Sequence, residues 1–198
     1  MPINKRPTPQ LFLALLFSVC SSWPVFAGAP TEQIRSAIDQ GVKVLKNTKL
    51  DSERQKAAAI DRLRQIVFPL FDFREMAKRS LGPYWRRISP QQQDEFVTAF
   101  TELLEKTYAD KIDLYNGQKV AYTGENIDRN FAVVSTKVIG KDQSYSVDYK
   151  LRLEDGKWKI YDIVAENISL VNNYRAQFNR ILANSSFDDL MQRIKAKA

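Results

Sequence analysis

From Thr31 to Thr48 the apolar residues Ile34, Ile38, Val42 and Leu45 return every three or four positions, which predicts an amphipathic helix with one buried stripe. A second helix is predicted after Asp51-Ser52, either of which can cap it. Ile60, Leu63 and Val67 form its stripe, and Pro69 breaks or kinks it. The connection Phe68-Pro69-Leu70-Phe71-Asp72-Phe73 is too aromatic for a solvated loop. It leads into a short helix through Met76 that stops near Leu81-Gly82-Pro83. Ser89-Pro90-Gln91-Gln92 then marks a strong helix start, with Ser89 as cap, Pro90 at the first helical position and Gln92 completing a capping box. Along the long helix that follows, Phe96, Phe100, Leu103, Leu104, Thr107 and Tyr108 make a broad apolar face.

Beyond it the period changes from helical to alternating. Phe131 to Ile139, Tyr145 to Leu153 and Trp158 to Val164 read as antiparallel strands, after a weaker one near Val120. Gly140-Lys141-Asp142 and Asp155-Gly156 supply the turns, the Asp-Gly pair being a type I′ hairpin signal. In the middle strand Tyr145, Val147, Tyr149, Leu151 and Leu153 share one face, and Ser146, Asp148, Lys150 and Arg152 the other. Such a sheet has one buried and one wet face. Two helices close the chain, Ile168 to Leu182 with Val171, Tyr174, Phe178 and Ile181 inward, and Ser186 to Lys195 with Ser186 as cap and Asp188-Asp189 suiting the helix dipole. The expected fold class is α+β: a curved antiparallel sheet of about four strands with helices packed over one face.

The start of the chain has a different character. Lys5 and Arg6 precede an apolar run from Leu11 to Val19, and Val25 and Ala27 place small residues before Gly28, the pattern of a secretory signal cut after Ala27. Cys20 invites a lipoprotein reading, which Phe17-Ser18-Val19 suits poorly because Val19 is β-branched and large. Residues 1–27 are therefore expected to be a cleaved signal peptide and residues 28–198 a single domain in the periplasm. With its one cysteine removed, that domain is held by packing alone. The formal charge of +7 includes Lys5 and Arg6, leaving +5. Positive pairs such as Lys78-Arg79 and Arg86-Arg87 are interspersed with acids, so solvated faces explain them better than nucleic acid does.

The chain has no histidine, which, together with the loss of Cys20, removes the commonest general base, the commonest zinc ligands and thiol chemistry. Phosphate-binding glycine loops and the Gly-x-Ser-x-Gly elbow are absent as well. The carboxylates Asp148, Asp162 and Asp188-Asp189 are accounted for by a wet sheet face and a helix start, so no catalytic residue, metal or cofactor is expected.

Several separated blocks carry a resemblance that composition does not. They are Phe71-Asp72-Phe73-Arg74-Glu75-Met76-Ala77, Leu81-Gly82-Pro83-Tyr84-Trp85-Arg86, Ser89-Pro90-Gln91-Gln92 with Phe96, and Thr107-Tyr108-Ala109. Later come Val147-Asp148-Tyr149, Gly156-Lys157-Trp158-Lys159-Ile160-Tyr161-Asp162, and Ile168 through Phe178. In order and spacing the chain resembles the MlaC family, the toluene-tolerance auxiliary proteins, which are periplasmic lipid-binding components of an ABC transport system. Family members often have glycine where Asn167 stands; asparagine also tolerates a left-handed backbone.

The resemblance implies a phospholipid carrier, not an enzyme, whose helices and sheet enclose acyl tails in an apolar cavity. Such a carrier exchanges lipid between an outer-membrane lipoprotein-porin complex and an inner-membrane ABC transporter complex, and is expected to be a monomer. Tail-lining candidates on the inward faces are Phe71, Phe73, Met76, Trp85, Phe96, Phe100, Val147, Tyr149, Leu151, Trp158, Ile160, Tyr174 and Phe178. Arg86, Arg87 and Arg175 are candidates for contact with a headgroup or partner. The competing readings are a non-catalytic adaptor, which requires a filled core and an exposed apolar patch, and a carboxylate-dependent envelope enzyme, which requires a perturbed acid in the cavity.

Overall fold

Short polar side chains at the helix starts fix where most of the helices begin. In the computed structural model, which describes residues 30–48, 51–109, 112 and 115–198, helix α1 spans Pro30–Asn47 and α2 spans Glu53–Val67. Ser52 caps α2 by accepting from the Gln55 N–H. A single 3-10 turn, Phe68–Leu70, carries Pro69 and ends in the extended residue Phe71, so the proline stops the helix rather than kinking it. Asp72 caps α3 (Phe73–Leu81), whose far end is followed by Gly82 and a 3-10 turn through Arg87. Ser89 and Gln92 form the anticipated reciprocal pair at the start of α4 (Pro90–Ala109), at 3.2 and 2.9 Å. The proposed signal peptide, its cut after Ala27 and Cys20 lie outside the described residues.

The alternating half of the chain forms an antiparallel sheet in simple order, β1 (Lys119–Asp128), β2 (Phe131–Ile139), β3 (Ser144–Glu154), β4 (Lys157–Ala165) and β5 (Ile168–Ser169). Asp155 and Gly156 both take positive φ, 47° and 74°, the geometry the β3–β4 hairpin needs. The fifth strand was not expected. Glu166 and Asn167 are both left-handed, at φ 47° and 65°, and reverse the chain so that Ile168 and Ser169 pair with Ala165 and Val164 before α5 (Leu170–Leu182) begins. Helix α6 (Phe187–Lys195) follows, capped by Ser186 and Asp189 in a complete box. The backbone N–H of Ser186, and then its hydroxyl, hold the Asp189 carboxyl below the usual carboxylate range.

Two cores result. Helices α3 to α6 close around Met76, Leu81, Phe96, Phe100, Tyr174, Phe178 and Leu190. The sheet and α1 close around Ile34, Val134, Leu151, Trp158 and Ile160. A register shift in β4, where Tyr161 is the extra residue beside Lys150 and Leu151, turns both Ile160 and Ile163 toward the sheet core. Asp72 joins the two cores. Its side chain takes the α3 cap and the Arg152 guanidinium from β3, while its N–H donates to Ile160 O at 2.9 Å.

Tyr122 of β1 shows how burial is compensated at the sheet edge. Its ring lies under the Arg35 guanidinium, 4.0 Å from the centroid, and its hydroxyl is buried with no partner among the described residues. Burial, reinforced by Asp39 and opposed by Arg35, pushes that hydroxyl from 10.0 up to about 12. Because the folded value is the higher one, its contribution is intact below pH 10 and is lost as pH rises through 12. Tyr122→Phe removes an unpaired donor, so it is expected to melt at or above the wild-type temperature at pH 7 and to lose less stability between pH 10 and 12. Melting curves against pH check this; a variant less stable by more than about 1 kcal/mol at pH 7 sinks it.

Candidate functional site

Helix α2 packs on α1, where Leu63 lies against Gly41, but its apolar stripe stays only partly covered. Of its residues only Ala59 is buried; Ile60, Leu63 and Val67 are half-buried. They face a cavity of about 690 Å³ between the two cores, within the range of small-molecule sites. Leu45 at the end of α1, Phe68 and Phe71 continue this wall. Phe73 and Met76 of α3, with Leu104, Tyr108 and Ala109 of α4, form the side belonging to the helix core. Ile163 and Ala165 of β4 and Ile168 of β5 form the side belonging to the sheet, and Leu170 of α5, which packs on the helix core, completes the wall. Tyr108 and Ile168, half and two-thirds exposed, are apolar residues left open to solvent in this wall, as expected at a mouth.

Polar groups in the wall are few. Arg64 of α2 meets Glu105 of α4 at 3.2 Å, tying the two helices together over the cavity, and the same guanidinium lies 5.1 Å from the Phe68 ring. The Tyr115 hydroxyl is buried with no partner among the described residues. Burial, and then the proximity of Tyr174, raise the Tyr108 hydroxyl above its ordinary value. Nothing in this set offers a nucleophile beside a base. The buried carboxylates, Asp72 and Asp162, are not in the wall. Asp162 accepts from the Ser169 hydroxyl at 2.7 Å and from the Val171 N–H at 3.1 Å, with Lys150 at 3.8 Å, so it secures the start of α5. Among the described residues no cluster of acids, cysteines or histidines is arranged to hold a metal, and no helix is long and apolar enough to cross a membrane.

Of the residues expected to line a tail pocket, the structure brings Phe71, Phe73 and Met76 together in this wall. The rest pack elsewhere. Phe96, Phe100, Tyr174 and Phe178 stack on one another with ring centres 5.1 to 5.7 Å apart, filling the helix core. Leu151, Trp158 and Ile160 sit in the sheet core with Ile34, Tyr149 packs partly buried beside them, and Val147 is half-buried on β3. Trp85 belongs to the helix core and floors a second, polar groove that also holds Arg86 and Arg175. Arg87 lies outside that groove, over the Tyr84 ring at 5.8 Å. The wall residues that sequence reasoning missed are chiefly Leu63 and its neighbours on α2. Their stripe was visible, but nothing in a stripe shows whether a partner surface fills the space opposite.

The comparisons with known proteins agree with this architecture. A protein-family model described as MlaC protein matches residues 35–196. The intermembrane phospholipid transport system binding protein MlaC of Haemophilus influenzae (strain ATCC 51907 / DSM 11121 / KW20 / Rd) is 24% identical over 142 residues, covering 69% of this chain but only 66% of that protein. Toluene tolerance protein ttg2D of Pseudomonas putida is 25% identical over 169 residues, covering 84% of this chain and 79% of that one. Among solved structures, the phospholipid-binding protein from Ralstonia solanacearum, determined in complex with a phospholipid, superposes with a TM-score of 0.74. That match has 23% identity over 86% of this chain and 97% of that one, which establishes a shared fold. With a family model running through both cores and the cavity between them, this chain belongs to the MlaC family.

Proposed function

We propose that the protein is a phospholipid carrier of the periplasm that holds acyl tails in the cavity between its two cores and exchanges them with membrane complexes on either side. The observation that carries this reading is the apolar cavity itself, walled on one side by the half-buried stripe of α2. The names of the relatives, a phospholipid transport system binding protein and a protein solved with a phospholipid bound, point the same way.

The physical requirement is plain. Each methylene left in water costs about 0.8 kcal/mol, so a sixteen-carbon tail exposed in transit costs over about 10 kcal/mol. Unloading sets the opposite limit, because a site that gripped its cargo with charges would hold it against the membrane. Among the described residues the ion pair in the wall is Arg64 with Glu105, each satisfied by the other, and the rest of the surface is side-chain hydrocarbon with few polar groups. The exchange partners in this reading are an outer-membrane lipoprotein-porin complex and an inner-membrane ABC transporter.

Mass spectrometry of lipid extracted from protein purified without detergent tests the reading. Phospholipid at a fixed molar ratio to protein is the expected result. Protein that arrives empty and takes no labelled lipid from vesicles would leave the adaptor reading in its place.

A further inference from the structure

The second groove, about 710 Å³, lies between α3, the turn after it, β3, β4 and the start of α5, and shares no wall residue with the apolar cavity. Five cations border it: Lys78, Arg79, Arg86, Lys150 and Arg175. Three are already engaged, Lys78 and Arg79 with Glu75 at 3.4 and 2.8 Å, and Lys150 with Asp162 at 3.8 Å. Arg86 and Arg175 are exposed and have no hydrogen bond or ion pair among the described residues. Five cations against two carboxylates leave three positive charges uncompensated.

The fold brings these charges together at a specific place. Gly82 takes φ +57°, and the Arg175 guanidinium lies against its backbone so closely that a Cβ there would sit 2.9 Å from Nε. A residue with a side chain would push Arg175 off this wall. The buried Trp85 closes the floor, and Arg79 stacks over Tyr161 at 4.2 Å, which fixes one side.

We infer that this groove binds a phosphate-type oxyanion with a polar substituent, the group shared by soluble glycerophosphates and phospholipid headgroups, and that Arg86 and Arg175 are its ligands. Guanidinium forks match phosphate oxygens in pairs, and like charges converging in a concavity repel one another until an anion enters. A volume of 710 Å³ is far larger than a bare ion needs, and its mixed polar wall suits a hydroxyl- or amine-bearing substituent more than hydrocarbon. The inference is independent of whether the apolar cavity carries tails.

Two probes distinguish the sources: sn-glycerol 3-phosphate followed by titration calorimetry, and phosphatidylglycerol–phosphatidylcholine vesicles followed by co-sedimentation against pure phosphatidylcholine. Wild-type protein is expected to bind at least one. Arg86→Gln with Arg175→Gln weakens that binding about tenfold, lysine at both positions restores part of it, and Lys195→Gln with Lys197→Gln leaves it unchanged. Arg86→Gln alone, at a side chain that touches no partner, keeps the test valid if Arg175→Gln disturbs Gly82. Binding of glycerol phosphate assigns the groove to a soluble phosphate, and binding of the anionic vesicles alone assigns it to a headgroup at a membrane surface. Absence of binding to both probes, or binding that the arginine variants do not alter, overturns the inference. So does arginine-dependent binding of polyglutamate alone, which assigns the groove to an acidic protein.

Discussion

Leu63→Asp is expected to reduce the phospholipid that the protein retains by at least about a hundredfold, while melting within a few degrees of the wild type. Leu63 sits on α2, half-buried, in the middle of the cavity wall. Removing its contact with a tail loses about 1.5–3 kcal/mol, and setting an ionised carboxylate against hydrocarbon costs at least as much again. A hundredfold change in affinity needs only about 2.8 kcal/mol. Without lipid the same carboxylate can reach water, because the cavity opens past Tyr108 and Ile168 and Leu63 is itself only half-buried. Lipid content by mass spectrometry, uptake from labelled vesicles and a melting curve report the three quantities separately. Retention of lipid at the wild-type ratio in a folded Leu63→Asp protein would place the cargo somewhere other than this cavity.

The largest stability loss is expected at Asp72. One carboxylate accepts the Glu75 N–H at 2.9 Å as the cap of α3 and takes the Arg152 guanidinium, in a residue only 8% exposed. Asp72→Ala removes a cap worth about 1 kcal/mol and strands Arg152 with Glu154 as its remaining ion-pair partner. Breaking a fully buried pair costs about 3–5 kcal/mol, but the Arg152 side chain is 30% exposed and recovers part of that from water. A net loss of about 3 kcal/mol follows, or about 6–12 °C in melting temperature for a domain of this size. Asp72→Asn keeps a capping oxygen and the shape while losing the charge, so about half of the loss is expected. Thermal melts of the two variants decide the matter: equal losses would mean that the cap contributes nothing, and a loss under about 1 kcal/mol for alanine would mean that the cores do not depend on this junction.

Signals confined to a few neighbouring residues were legible from the sequence. Ser89 and Ser186 cap the helices they were expected to cap, Ser52 is the member of the pair Asp51-Ser52 that caps α2, and Asp155-Gly156 turns between β3 and β4 as the dipeptide predicts. The α+β class and the aromatic link before α3 follow from the same kind of signal. What escaped was set by distance in the chain. A two-residue strand such as Ile168–Ser169 is too short to show a period, and the extra residue Tyr161, which turns Ile160 and Ile163 toward the same core, is invisible in an alternating pattern. The same limit applies to the site. Phe100 and Phe73 are equally aromatic and equally well spaced, yet one stacks among Phe96, Tyr174 and Phe178 and the other lines the cavity, because which of them meets a neighbour is set by elements distant in the chain.

The separation into two cores also bears on how such a chain tolerates mutation over time. In each core a side chain must match the shape of its neighbours, so a change of one methylene costs about 1 kcal/mol and is removed by selection. Leu45, Ile60, Leu63 and Val67 border a cavity instead, and if acyl tails fill it, any apolar side chain of moderate size keeps the wall oily. Substitution among leucine, isoleucine, valine and methionine should therefore be nearly neutral along α2 and strongly purged at Phe96 or Leu151. Relatives of this protein would drift apart first in the residues closest to the cargo.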